Sequence, residues 1–317
     1  MRKLIALAFA ALVTAGLGTA QAWPERTVRF LVPLGPGSGV DLTARLLGDA
    51  LSKKWNQPVV IENRPGGDGV VAINGFIGAD DDHVLLFAPT GSFSSHPYTL
   101  EKLPYDPAKL APVARVTNTI VAFAVPTASG INSMKELLDK VKAEPGKLNW
   151  ASATPTNEFL FQGYLKEAGL DMAKVPYRDT VSAINDLAEN RIQMYVGAYA
   201  IMRPHLQGGK IKVLAVTNRD RAKGAPDLPT ASEAGFPKLE FDGLVGIFAP
   251  TKMPEATRAQ IATDVKALLA DNEISGKLIA TGQNVSAGTP AEFAAAQKAQ
   301  TEQVDAVAKL LGLKRAQ

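Results

Sequence analysis

Cysteine is absent from this sequence, and histidine is scarce. With no cysteine among 317 residues, structural disulfides, a lipoprotein anchor and thiolate chemistry are excluded. The three histidines, His83, His96 and His205, are far apart and lack metal-ligand spacing, so we predict neither a metal site nor a cofactor. Stability must therefore come from buried apolar surface, which a chain with 46% hydrophobic residues can supply.

An excess of one charge sign is also lacking. The formal net charge of +3 includes Arg2 and Lys3, so it is +1 without them. No cluster of lysine and arginine with interleaved aromatic residues is present, and both observations argue against nucleic acid as a partner. Because a Gly-x-Ser-x-Gly elbow is missing as well, the serines near position 92 do not predict a hydrolase.

A long apolar run occurs at the N-terminus. Arg2 and Lys3 precede apolar residues 4–17, and Ala20-Gln21-Ala22 follows as a small-x-small pattern. The run is shorter than the roughly 20 residues of a membrane-spanning helix. This arrangement is typical of a secretory signal peptide. We therefore predict that residues 1–22 are a signal peptide, that cleavage follows Ala22, and that the mature chain is exported to the periplasm.

The most informative pattern present is a strand, a glycine-rich loop and a helix. Residues 28–32 are apolar or β-branched, as in a buried strand, and leucines recur at helical spacing from Leu42 onward. The first helical turn directs free N–H groups into the loop between them, where the helix dipole also favours negative charge. The sequence therefore predicts an anion site at Gly37, Ser38 and Gly39.

Three other interpretations of this loop exist. A dinucleotide fingerprint needs a third glycine where Val40 stands. A phosphate-binding P-loop needs a lysine, and none lies between Arg29 and Lys53. The remaining alternative is an ordinary turn in which Ser38 caps the helix, a role that is compatible with anion binding.

Strand-like and helix-like segments alternate along the chain. We predict strands at 27–32, 58–61, 83–88, 119–125, 147–151, 174–176, 193–196, 210–216 and 244–249. We predict helices at 39–55, 133–143, 157–169, 180–189 and 199–207, and an almost wholly helical region from 254 to 311. This alternation predicts an α/β fold of parallel sheets with helices on both faces.

Two apolar segments, 119–125 and 244–249, are interpreted as strands that cross between two lobes. The first lobe would comprise residues 23–121 and 244–317, and the second lobe residues 122–243. A hinged clamshell of this kind binds its ligand in the cleft at the carboxyl ends of the strands.

Eight short phrases, taken in order along the chain, resemble one protein family. They are Val32-Pro33 with Pro36-Gly37, Asp41 and Ala44-Arg45; Glu62-Asn63-Arg64-Pro65-Gly66-Gly67; Leu103-Pro104-Tyr105-Asp106-Pro107; Pro145-Gly146-Lys147-Leu148; Val175-Pro176-Tyr177-Arg178; Leu214-Ala215-Val216-Thr217; Pro226-Asp227-Leu228-Pro229-Thr230; and Ala249-Pro250. In this order and spacing they are similar to the periplasmic solute receptors of tripartite tricarboxylate transporters, the Bug/TctC family. The resemblance covers essentially the whole mature chain.

The resemblance implies a two-lobed periplasmic-binding-protein fold of type II, with no catalytic activity. Members of the family capture small carboxylates, and others carry amino acids, aromatic acids or vitamins. One loop from each lobe holds the carboxylate, and these loops correspond here to residues 35–39 and 152–157. The second loop would contribute Ser152, Thr154, Thr156 and Asn157, which could alternatively be a helix-capping cluster.

Several residues depart from the family pattern. Leu34 replaces an aromatic residue, Ser38, Thr154, Thr156 and Asp179 replace glycines, Leu160 replaces a histidine, and Gly197 replaces an aspartate. We interpret Asp179 as an acceptor of a hydrogen bond from the ligand and Gly197 as room for a bulkier ligand. The alternative is that Asp179 only caps the helix that begins at Thr180.

Four further residues complete the candidate site. Thr90 and Ser92 belong to a hydroxyl-rich segment that follows a predicted strand, although exposed loops are often hydroxyl-rich. Arg178 suits a carboxylate because its planar fork donates two parallel bonds, but it could instead pair with Asp179. Ala198 follows the predicted strand 193–196, so it also lies where a strand ends at the predicted cleft.

Together these features predict a periplasmic receptor that captures a small organic acid and delivers it to integral-membrane transporter subunits. We expect it to be a monomer and not an enzyme. A sensor that presents its ligand to a signalling protein is one alternative. A periplasmic hydrolase or dehydrogenase is the other, and it would need a nucleophile–base pair or a complete dinucleotide motif.

Overall fold

The protein is represented by a computed structural model that describes residues 23–152, 154–177 and 179–316. The predicted signal peptide, its cleavage site after Ala22, and Arg178 lie outside the described residues. Among the helices that the structure describes, none has the length and apolar character needed to span a bilayer.

The first of two sheets has six strands in the order β11-β4-β10-β3-β1-β2. These are β1 (Val28–Val32), β2 (Val59–Asn63), β3 (Val84–Pro89), β4 (Leu110–Thr119), β10 (Gly243–Pro250) and β11 (Gln283–Gly288). Strands β1, β2 and β3 pair in parallel, whereas β10 is antiparallel to β3 and β4, and β11 is antiparallel to β4. The sheet is therefore mixed, and the prediction of parallel sheets holds only for β1, β2 and β3.

The second sheet has five strands in the order β7-β6-β8-β5-β9. These are β5 (Val121–Pro126), β6 (Asn149–Ser152), β7 (Ala173–Lys174), β8 (Met194–Ala198) and β9 (Ile211–Val216). Strands β6, β7 and β8 run in parallel, and β5 is antiparallel to both β8 and β9. This sheet is also mixed.

Helices cover both sheets. They are α1 (Gly39–Trp55), α2 (Val70–Ala79), α3 (Gly91–Thr99), α4 (Met134–Ala143), α5 (Pro155–Ala168), α6 (Thr180–Ala188), α7 (Tyr199–Gln207), α8 (Glu255–Leu269), α9 (Asn272–Ala280) and α10 (Pro290–Leu311). Short 3₁₀ turns lie at Gly67–Gly69, Pro107–Lys109, Thr127–Ser129 and Pro237–Leu239. The predicted helices 39–55, 133–143, 157–169, 180–189 and 199–207 match α1, α4, α5, α6 and α7 within two residues.

Apolar clusters fill both faces of each sheet. In the first sheet, Phe30 and Leu85 belong to one cluster and Leu31 and Leu86 to the other, as the alternation along a strand requires. In the second sheet, Trp150 and Tyr195 occupy separate clusters and are both almost completely buried. The chain thus has an α/β architecture of two helix-covered sheets.

The chain passes between the sheets at a single residue, Ile120, which separates β4 from β5. Strand β4 runs in the direction of β1 and β3, and β5 runs against β6 and β8. The carboxyl ends of these parallel strands therefore face each other across Ile120. The return passage lies between β9 and β10, and β10 stays within the first sheet. The exact lobe boundaries remain a prediction.

Two strands and two helices differ from the prediction. Strand β11 lies in a region predicted to be helical, and β4 was predicted only at its last residue. Helix α3 contains Pro97 and several hydroxyl residues, so its sequence is typical of a loop. Helix α2, which was not predicted, begins after a glycine-rich turn. Their conformation depends on pairing and packing partners that are distant in sequence.

Candidate ligand-binding cleft

The loops predicted to bind ligand lie at the facing carboxyl ends of the two sheets. Residues 35–39 follow β1, and the second loop runs from Ser152, the last residue of β6, to Asn157 in the first turn of α5. A direct contact joins the two sides, because the Thr156 hydroxyl donates to the carbonyl oxygen of Gly91 at 2.8 Å. The structure therefore brings the first turn of α5 against the first residue of α3.

The first loop is tied to the helix that follows it. The Ser38 hydroxyl accepts from the backbone N–H of Asp41 at 3.2 Å and caps α1, as predicted. The N–H of Gly37, which has a φ of +83° that favours glycine, donates to the Asp41 carboxylate at 2.8 Å. The remaining free amides of the first turn of α1, at Gly39 and Val40, have no acceptor within the helix.

Asp41 is a nearly fully buried carboxylate at the centre of this loop. Its oxygens accept from Asn63 Nδ2 at 2.7 Å and pair with Arg45 Nη2 at 3.0 Å, besides the bond from Gly37. Burial alone would raise the pKa of Asp41, but the hydrogen bonds from Arg45, Asn63 and Gly37 outweigh it and hold the pKa below its ordinary value. Asp41 is therefore ionised at neutral pH, and its role is structural.

Thr90 and Ser92 are in different surroundings from those expected of an exposed loop. Thr90 is buried; its hydroxyl donates to Gln300 Oε1 in α10 and lies 3.4 Å from the carbonyl oxygen of Leu244. Ser92 lies in the first turn of α3 and is half-buried. The Thr90 hydroxyl is thus engaged in packing between α10 and β10 rather than presented to the cleft.

The second loop is held by hydroxyl groups. Thr154 caps α5 by accepting from the N–H of Asn157 at 3.4 Å, and the Ser152 hydroxyl donates to the Thr154 carbonyl oxygen at 3.3 Å. The side chain of Asn157 is 8% exposed and lines a small cavity with Leu160 and Phe241. The cluster is therefore a helix cap in this structure, and its ligand role remains a prediction.

Asp179 is exposed and caps α6. Its carboxylate accepts from the N–H of Ser182 at 2.8 Å and from the Ser182 hydroxyl at 2.9 Å. The backbone hydrogen bond from Ser182 and the hydroxyl bond lower the pKa of Asp179. The capping interpretation is confirmed, whereas a contact with ligand stays a prediction, as it does for Arg178.

Ala198 precedes α7, whose first turn has no side-chain cap. Nearby, the space beside Gly197 is occupied, because a Cβ added there would lie 2.7 Å from the Tyr195 hydroxyl oxygen. The expectation that Gly197 leaves room for a ligand is therefore wrong: the ring of Tyr195 fills that room. The Tyr195 hydroxyl is buried without a hydrogen-bond partner among the described residues, and burial raises its pKa.

Gln283, a buried residue at the start of β11, was not predicted from the sequence. Its Nε2 atom would lie 2.6 Å from a Cβ added to Gly39, so it packs directly against the first residue of α1. No local signal pointed to it, because β11 lies in a region of helical sequence character and its partners are distant in sequence.

One group of possible metal ligands lies away from the cleft, just before β3. Ligand atoms of Asp81, Asp82 and His83 are within 4.8 Å of one another. However, Asp81 pairs with Arg26 at 2.7 Å, and Asp82 Oδ1 lies 2.7 Å from His83 Nδ1. These atoms are thus engaged with each other and with Arg26.

Comparisons with known proteins agree with this architecture. Residues 43–313 match the family described as tripartite tricarboxylate transporter family receptor, TctC. The chain is 30% identical over 278 residues to a UPF0065 protein of Bordetella bronchiseptica, and the match covers 87% of this chain and 83% of that protein.

Two solved structures of proteins from Rhodopseudomonas palustris are also similar. One, solved with adipate, has 26% identity and a TM-score of 0.81, covering 92% of this chain and 99% of that chain. The other is MatC with bound malate, at 27% identity and a TM-score of 0.75, covering 90% and 99%. From the extent of the family match and this likeness in fold, we conclude that the chain belongs to the tripartite tricarboxylate transporter receptor family.

Proposed function

We propose that this protein captures a small organic acid in the cleft between its sheets and delivers it to integral-membrane transporter subunits. The observation that carries the proposal is that helix N-termini from both sheets begin at the facing strand ends. Among them, α1 offers free first-turn amides beside a glycine-rich loop, and α7 lacks a side-chain cap. Such termini favour an anionic partner.

A comparison of binding free energies supports a site formed by loops from both sheets. Micromolar affinity corresponds to about 8 kcal/mol. One helix N-terminus contributes at most about 2 kcal/mol, and each hydrogen bond to a charged group about 1.5–3 kcal/mol. Since association itself costs about 4 kcal/mol or more, one loop alone is not enough. Free donors from both loops are therefore needed to reach the required range, and the ligand then stabilises the closed arrangement.

The class of ligand is inferred from chemistry and from relatives. Hydroxyls and amides surround the facing loops, and the structural relatives were solved with adipate and with malate. We propose a carboxylate that the two loops hold, with Ser38, Asn157 and Ala198 among its contacts. Asp179 and Arg178, which precede α6 in the sequence, remain proposed contacts.

The remaining parts of the proposal concern cellular context. We propose that the mature protein begins at Trp23, resides in the periplasm and works as a monomer without catalysis. N-terminal sequencing of protein from a periplasmic extract tests the first point. Retention of Met1 in a membrane fraction would contradict it.

Ligand binding is tested by thermal shift followed by calorimetry. Binding to the native state alone stabilises by about 2.7 kcal/mol at a hundredfold excess over the dissociation constant. We expect adipate, malate or an aromatic acid to raise the melting temperature, and the matched neutral methyl ester to leave it unchanged. Stabilisation by NAD or ATP, with no response to any acid, would contradict the proposal and favour an enzyme.

A further inference from the structure

The turn between α9 and β11, residues 281–283, touches both sides of the cleft. A Cβ added to Gly282 would lie 2.8 Å from the Cβ of Ala200, in the first turn of α7. The Thr281 carbonyl oxygen would lie 3.5 Å from a Cβ on Gly39, at the start of α1. The turn therefore sits between two helix N-termini, one from each sheet.

The oxygen and nitrogen of the Gln283 side-chain amide contact different parts of the structure. Its side chain is 1% exposed. Its Oε1 atom accepts from the Thr117 hydroxyl at 3.1 Å and from the Thr119 hydroxyl at 3.2 Å, so both lone pairs are used. Its Nε2 atom packs against Gly39 and donates to none of the described residues. The amide donor of a buried residue is thus held against the first residue of α1, with its orientation fixed by the two threonines.

The same turn also contacts the point where the chain crosses between sheets. The N–H of Ile120 donates to the Gly282 carbonyl oxygen at 3.2 Å, and the N–H of Tyr199 donates to the Ile120 carbonyl oxygen at 2.8 Å. Thr119, which holds Gln283, directly precedes Ile120. The hinge residue, the start of α7 and Gln283 therefore form one connected hydrogen-bonded unit.

We propose that Gln283 is a ligand-contacting residue whose Nε2 donates to the carboxylate bound at residues 37–39 and thereby couples ligand binding to the hinge. The inference rests on the proposed function. An anion on the loop stabilises the Gln283 orientation that Thr117 and Thr119 already hold. Because these threonines belong to the strand that enters the hinge, the ligand-bound loop and the closed hinge stabilise each other.

The main test is the nearly isosteric substitution Gln283→Glu. Glutamate keeps an acceptor for both threonines but replaces the amide donor with a charged oxygen. We expect it to weaken binding of the acid that stabilises the wild type by about 10- to 100-fold, the range of one hydrogen bond to a charged group. Partial recovery of affinity at about pH 5 is expected, because a protonated carboxyl can donate.

A matched control and a second variant keep the test decisive. Gln303→Glu changes a half-buried glutamine whose Nε2 donates to the Glu240 carbonyl oxygen, and it should leave affinity within about twofold. If Gln283→Glu does not fold, the double variant Thr117→Val, Thr119→Val removes the donors to Oε1 without altering Nε2. We expect that variant to lose about 3- to 10-fold in affinity.

A distance measurement separates coupling from affinity. The absence of cysteine allows specific labelling of introduced cysteines. Exposed Lys53 in α1 and Lys142 in α4 are suitable positions, one beside each sheet. At saturating acid the wild type should shift to a shorter inter-label distance, whereas Gln283→Glu at the same fractional saturation should shift less than half as far.

Three outcomes are informative. Wild-type affinity in a folded Gln283→Glu variant would overturn the proposal. Weakened binding with full closure would overturn the coupling to the hinge. A wild type that binds no acid would instead contradict the proposed function, which is a distinguishable failure.

Discussion

The two loops that face each other across the cleft are stabilised in different ways. The loop after β1 is held by a buried carboxylate, Asp41, which receives three different donors. The loop after β6 is held by hydroxyl groups, and its capping residue Thr154 is exposed. Charge-assisted hydrogen bonds are roughly twice as strong as neutral ones, so the first loop is the more rigid of the two.

This difference suggests a division of roles. A loop held by a buried ionised group keeps its shape without ligand, and its amides stay preorganised for a carboxylate. A loop held by hydroxyls reorganises at lower cost, so it can accommodate variation in the rest of the ligand. The departures from the family pattern at Thr154 and Thr156 fall in this second loop. The contrast can be tested by substitutions on each side.

The largest effect is expected for Asp41→Ala. The substitution leaves the Gly37 amide and Asn63 without their shared acceptor, and it should destabilise the protein by about 2–4 kcal/mol. Denaturant unfolding measures the loss. Asp49→Ala, at an exposed position of the same helix, is the control and should change stability by less than about 0.5 kcal/mol. Equal effects of the two variants would contradict the assigned rigidity.

The next largest effect on stability is expected at Gly197, in β8 of the second sheet. In Gly197→Ala the new methyl group would meet the Tyr195 ring at 2.6 Å, and this overpacking should cost about 1–3 kcal/mol. Gly276→Ala serves as the control, since a Cβ there meets nothing within 4 Å. Alanine within helix α9 should stabilise by about 0.5–1 kcal/mol. A neutral Gly197→Ala variant would show that Tyr195 is free to move.

A smaller effect is expected in the second loop. Thr154→Ala removes the cap of α5 and should cost about 1 kcal/mol, while Thr154→Ser keeps the hydroxyl and should cost less. Thermal unfolding of both variants measures the difference. If Thr154→Ala were as damaging as Asp41→Ala, the two loops would be equally rigid and the comparison would fail.

The smallest effects come from pH and from Asp179. The lowered pKa of Asp41 means that its contribution is present above the unfolded value near about 3.9 and is lost as pH falls through the folded value. Asp41→Asn should therefore flatten the fall of stability below about pH 4. Asp179→Asn, at an exposed cap, should shift the melting temperature by less than about 2 °C. Unchanged ligand affinity in that variant would remove Asp179 from the site.

Local features of the fold could be predicted from the sequence because they depend on neighbouring residues. The β1–loop–α1 unit, the Ser38 cap and the pair of Asp41 with Arg45 all arise from residues close together in the chain. Helix spacing and capping side chains predicted α4 to α7 for the same reason. The order of motifs was enough to identify the family.

Long-range features were decided by tertiary structure alone. Asn63 completes the Asp41 site from 22 positions away, and Gln283 meets Thr117 from 166 positions away. Strand β11 has weak local preference and exists because it pairs with β4, so the residue that connects loop and hinge had no local signal. The ring of Tyr195 likewise fills the space beside Gly197. Side chains alternate along a strand, so the two residues share a face, but this alternation does not determine that the ring fills the space. The sequence by itself determined the parts of the cleft, and packing between distant segments decided how they meet.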